Sequence, residues 1–216
     1  MVAAAWLALL AGLGVHPAHF GPGHAPLAVL GGLPAWSLMV VAMMVPVTLP
    51  AVRYVGLNSM RRRRLRAMAV YTASYVGVWV AFGVSALGLA HLATHHLGLS
   101  DDALLALTLG AAAVWQLTRA KRRALFACGR TVPLPPSGRR ADAGCARFAL
   151  LQAWRCIRSC WALMLVMVAV GHSSLVWMVA LTALVVAEEL TVRGRRLTRP
   201  AAAVLAAAAV GVALGA

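Results

Sequence analysis

Cysteine and methionine recur at helical spacing in the second half of the chain. Cys156, Cys160 and Met164 stand four residues apart, and Met167 follows three later. On a helix these residues share one face, so that face gathers their sulfurs within about three turns. Thiolate and thioether are the ligands that select soft ions such as Cu(I), and the spacing suits metal capture better than phosphate or hard-cation chemistry. Packing is the competing reading, because methionine fills irregular core gaps and buried cysteine behaves as a small hydrophobe. A second sulfur group, Met39, Met43 and Met44, lies just ahead of Pro46 and Pro50. Carboxylates at Glu188 and Glu189, imidazoles at His16, His19, His24 and His172, and the thiol of Cys128 complete the candidate ligands. The signatures of common soluble enzymes are missing: there is no phosphate-binding glycine loop, no G-x-S-x-G elbow and no H-E-x-x-H pair. The C-x3-C spacing also differs from the redox C-x-x-C pattern.

The elements that must hold these residues are set by composition. In 216 residues, 62% are hydrophobic and 12% charged, which fits a bilayer rather than a water-facing surface. Sheets with open edges cannot span lipid, and no alternating barrel pattern is visible, so helices remain. A formal charge of +15 would suit nucleic acid, but the basic residues flank apolar runs instead of building a basic domain. They read as topology signals and contacts to anionic lipid.

Taken in order, residues 2–15 form a short apolar run, expected to be a retained span rather than a cleaved signal because a basic start and a small-residue cleavage site are absent. A Gly/Pro-rich loop carries His16, His19 and His24. Residues 34–52 make a second span, in which Pro46 and Pro50 should kink or open the helix. Arg61–Arg64 and Arg66 place the next loop in the cytoplasm. A third span covers 67–90, with Tyr71 and Tyr75 expected at the membrane interface, and a fourth covers roughly 103–118. Residues 119–155 read as a basic cytoplasmic loop, with a short amphipathic surface helix at 145–155. The fifth span starts near Cys156, His172, Ser173 and Ser174 turn the chain, the sixth ends at Glu189, and 201–216 is a weak seventh. In this arrangement the 20 Lys and Arg lie on the cytoplasmic side or its boundary, and the 7 His lie on the other face. Glu189 and Arg193, four apart, are also spaced to pair with each other.

Several stretches carry a resemblance. WSLMVVAMMVPVTLP at 36–50, YTASYVGVW at 71–79, WQLTRAK at 115–121, Cys128 with Arg130, CIRSCWALM at 156–164, GHSSLVWM at 171–178 and the Glu188–Glu189 pair occur in matching order over roughly 34–199. Together they resemble the bacterial family usually labelled predicted metal-binding integral membrane protein. The resemblance implies metal binding and points to Met39, Met43, Met44, Cys128, Cys156, Cys160, Met164, Met178 and Glu188. This chain departs from the pattern in having Ser159-Cys160 for a Cys-Cys pair, His172-Ser173 for Met-Asn, Glu188-Glu189 for Glu-Lys, and histidines in place of a Met-rich external loop. Histidine for methionine shifts preference toward Cu(II) or Zn(II).

The expectation is a single integral membrane domain over 1–216: an all-α, polytopic transmembrane helical bundle of about six to seven spans in a bacterial inner membrane, N-terminus cytoplasmic. Its expected role is copper handling by capture, delivery or storage, with zinc or another transition metal as the alternative ion, and it is not expected to be an enzyme. Membrane lipid and a metallochaperone or membrane-complex subunit are the expected partners, and nucleic acid is not. Two further classes stay open: a metal-free structural or assembly subunit, and a metal-dependent membrane redox enzyme.

Overall fold

The computed structural model describes residues 6–7, 25–135, 138–170, 175–191 and 194–215. The expected first span at 2–15, apart from Trp6 and Leu7, lies outside the described residues, as do His16, His19, His24, His172 and Arg193. Seven α-helices make up the described fold: α1 Ala25–Leu57, α2 Arg64–His95, α3 Asp101–Leu117, α4 Arg119–Cys128, α5 Arg139–Val170, α6 Leu175–Leu190 and α7 Gly194–Gly215. A single 3-10 turn, Arg61–Arg63, leads into α2.

Four of the described helical stretches are long and apolar enough to cross a membrane: Gly31–Leu57, Arg61–His95, Arg140–Val170 and Arg196–Gly215. α3 and α4 meet at a 74° bend and make a fifth if taken as one broken span. The bend is local chemistry. Thr118 is extended (ψ 149°) and ends α3, and its Oγ1 caps α4 by accepting from the Lys121 backbone N–H at 3.1 Å. α6, at 16 residues, covers about 24 Å, shorter than the roughly 30 Å hydrocarbon core.

α1 runs helical through Pro46 and Pro50, where the sequence suggested a kink or an opening, so the helix does not open. Each proline removes a helix donor; around Pro46 the residues Met43, Met44, Val45, Val47 and Thr48 are buried, so neighbouring helices hold that turn from outside, while Leu49 and Pro50 are exposed. Another difference concerns 119–155. In place of a loop with a short surface helix, α4 precedes a brief irregular stretch and α5 then runs unbroken for 32 residues from Arg139. Between Cys145 and Val170 there is neither Gly nor Pro to stop it. Arg63 and Arg66 both pair with Asp142, the latter at 2.8 Å, which ties the start of α2 to the start of α5.

α2 packs along both α1 and α5, α3 lies against α7 and α5, α4 lies on α5, and α6 contacts α1, α5 and α7. One face of α2 carries Tyr71, Tyr75 and Trp79 at successive i+4 positions, all fully buried. The two tyrosines are therefore core residues, not interface anchors: Tyr71 shares a 2.7 Å hydrogen bond with Thr48 of α1, and its ring stacks on Tyr75. Further along, the Trp36 indole of α1 donates to the Trp79 carbonyl at 2.9 Å. Its ring fills the space over Gly83, where a Cβ would come within 2.1 Å of the indole nitrogen.

Candidate metal centre

Cys156 and Cys160 lie one turn apart on α5 and are both buried. Their sulfurs are 3.8 Å apart and both are free thiols, well beyond the roughly 2.05 Å of a disulfide. Two sulfurs held about 2.3 Å from one ion at tetrahedral to trigonal angles are roughly 3.8–4.0 Å apart. The pair is thus already spaced as two ligands of a single soft ion, with no backbone movement needed. Glu189, at the end of α6, closes the third side: its carboxylate oxygens stand 3.6 and 3.8 Å from Cys156 Sγ. One ligand atom from each of Cys156, Cys160 and Glu189 can be chosen so that all three lie within 4.8 Å of one another. Glu189 is partly exposed while the thiols are buried, so it forms the accessible side of the group.

A shell of hydrogen bonds fixes these atoms. The Tyr75 hydroxyl of α2 donates to Cys156 Sγ at 3.1 Å. Ser159 Oγ, fully buried, lies within hydrogen-bond distance of both Glu189 Oε1 and the Cys156 carbonyl, the latter at 2.8 Å. The Cys160 thiol donates to the same carbonyl at 2.9 Å. Cys128, at the end of α4, points its thiol at Ser159 Oγ at 3.8 Å, and its carbonyl accepts from Gln152 at 2.7 Å. Four helices therefore converge: α5 supplies the thiols, α6 the carboxylate, α2 the phenol and α4 a third thiol one residue removed.

The two adjacent glutamates part company. Successive helical residues point about 100° apart, so when Glu189 faces the thiols Glu188 faces α3 and α4. There its oxygens accept from Lys121 Nζ at 2.6 Å and Gln116 Nε2 at 2.8 Å. Both side chains of that ion pair are 1% exposed. A carboxylate neutralised in this way is a structural clasp, and the carboxylate beside the sulfurs is Glu189 rather than Glu188. The alternative of Glu189 paired with Arg193 falls outside the described residues, but Glu189 is engaged by Ser159 and Cys156.

The candidate methionines are core. Met39, Met43 and Met44 of α1, Met164 and Met167 of α5 and Met178 of α6 belong to one buried cluster with the cysteines. Met164 and Met167 continue the α5 face beyond Cys160, roughly 6 and 10 Å further along the helix axis. A polar route from α1 to the thiols passes through α2, by way of Thr48, Tyr71, Tyr75 and Cys156. α1 and α5 also meet at the Tyr54 and Phe148 rings. Tyr75, Ser159, Lys121 and Gln116 were not among the expected site residues. Tyr75 lies in the YTASYVGVW stretch that carries the resemblance, but its i+4 relation to Tyr71 suggested an interface, not a core.

This donor set fits copper on its own chemistry, with two thiolates for a soft ion, a carboxylate that zinc also accepts, and second hydrogen bonds holding each ligand. No curated protein and no solved structure matches the chain. A family described as PpoB2, copper chaperone, matches it over residues 33–212. The match takes in the thiol pair, both glutamates, Tyr75 and Cys128, and on it this chain belongs to that copper chaperone family.

Proposed function

We propose that this protein is a membrane-embedded copper chaperone that receives Cu(I) on Cys156 and Cys160, with Glu189 as third ligand and as the side from which the ion enters or leaves. One observation carries the reading: the two buried sulfurs sit 3.8 Å apart with the carboxylate of half-buried Glu189 against them. The ion is cargo, so it must be held and then released. A soft two-thiol grip with one exchangeable oxygen suits that better than a closed four-thiolate site, which is the pattern of structural zinc. Helices long and apolar enough to cross a bilayer support placement in the membrane, and the basic segments support an inner-membrane orientation with Arg61–Arg66 and α4 toward the cytoplasm. External histidines, His16, His19 and His24 among them, are the proposed first captors, and the buried methionines of α1, α5 and α6 are proposed secondary thioether contacts. A soluble metallochaperone or a recipient membrane-complex subunit is the proposed partner at the Glu189 side.

The test is metal content of detergent-purified protein loaded anaerobically with Cu(I), next to a Cys156→Ser, Cys160→Ser variant and a Glu189→Gln variant. About one copper per chain is expected in the parent, loss in the double variant, and retained but faster-released copper in Glu189→Gln. Equal copper in parent and double variant refutes the assignment. Zinc outcompeting Cu(I) at the same thiols would reassign the cargo.

A further inference from the structure

A second group of metal-ligating side chains lies at the far end of α2. His91 and His95 stand four residues apart in its last turn and a half, and their rings are side by side, with centroids 4.3 Å apart and planes at 46°. Residues at i and i+4 share a helix face, and here the two rings lie against each other. Two imidazoles on one helix face are the arrangement that lets one ion take a nitrogen from each, at about 2.0–2.1 Å. The pair sits at the rim, His91 half-buried and His95 exposed, unlike the buried thiols. α2 also supplies Tyr75, which touches Cys156. Sixteen residues separate Tyr75 from His91, so the imidazoles lie roughly 24 Å along the helix from the thiol centre.

We propose that His91 and His95 form a chelate for a divalent transition ion, Cu(II) above all, at the end of α2 opposite the thiol pair. This goes beyond the Cu(I) assignment. The sites differ in ligand softness, since neutral imidazole binds Cu(II) and Zn(II) readily while the thiols prefer Cu(I). They also differ in access. One chain then carries two separately loadable sites, the thiol pair against the first half of α2 and the imidazole pair at its last turn.

The experiment titrates Cu(II) into detergent-purified full-length protein carrying Cys156→Ser and Cys160→Ser, so the thiol pair neither reduces nor holds the ion and the outcome is independent of the Cu(I) assignment. Electron paramagnetic resonance should show equatorial nitrogen coupling from two imidazoles. His91→Gln and His95→Gln should each abolish that two-nitrogen pattern and weaken Cu(II) binding on the order of 100-fold, since either change turns a chelate into a single contact. His96→Gln should leave both unchanged. As a second readout, Cu(II) should raise the thermal midpoint of the parent but not of either variant, with metal-free midpoints alike. An unchanged spectrum and affinity in the His91→Gln, His95→Gln double variant overturns the proposal, and so does equal loss from His96→Gln.

Discussion

At the scale of single residues, the centre depends on which atoms touch Cys156. Tyr75 donates its hydroxyl hydrogen to that sulfur, and this bond should persist when the thiol becomes a thiolate on metal binding. Tyr75→Phe removes the donor while keeping the ring and its stack on Tyr71. Copper stoichiometry should survive, the Cu(I)–thiolate charge-transfer absorption should shift, and stability should fall by about 0.5–1.5 kcal/mol, the usual worth of one hydrogen bond. An unshifted spectrum would mean that the phenol does not face the bound sulfur. Ser159 has a comparable role on the other side. It stands where a related pattern carries a second adjacent cysteine, and it links Glu189 to Cys128 instead of ligating.

At the scale of elements, the clasp between α4 and α6 holds the centre in register. Lys121 and Glu188 are buried together, so removing one partner leaves an uncompensated charge in the interior. Lys121→Met should cost about 3–5 kcal/mol, whereas Lys121→Met with Glu188→Met, which removes both charges, should restore most of the loss. Thermal unfolding in detergent, followed by copper retention, checks this. A double variant no more stable than the single would show that the pair holds nothing together. The bend at Thr118 belongs to the same device, because it turns α4 across the bundle and presents Lys121 to α6 while placing Cys128 near Ser159.

At the scale of the whole molecule, the arrangement of charge predicts orientation. If the basic segments face the cytoplasm and α7 runs outward, alkaline phosphatase fused after Gly215 should be active and a fusion after Gly129 inactive, since that enzyme matures only outside the cytoplasm. The opposite pattern would invert the proposed orientation and put Glu189 on the external side.

Much of this was legible in the sequence because it is local. Apolar length and charge placement determined an all-helical chain with membrane-length helices, and the i, i+4 spacing of Cys156 and Cys160 determined that their sulfurs would be neighbours on any helix. The i, i+4 spacing of His91 and His95 did the same. Non-local partners were not legible, since they depend on how each helix is rotated against the next. A rotation of 100° decides between Glu188 and Glu189, and only the packing of α6 against α3, α4 and α5 made that choice. The burial of Tyr71 and Tyr75, the passage of α1 unbroken through its prolines, and the contact of Tyr75 with Cys156 were likewise decided by tertiary packing. Those contacts join residues tens of positions apart, and no spacing within one helix records them.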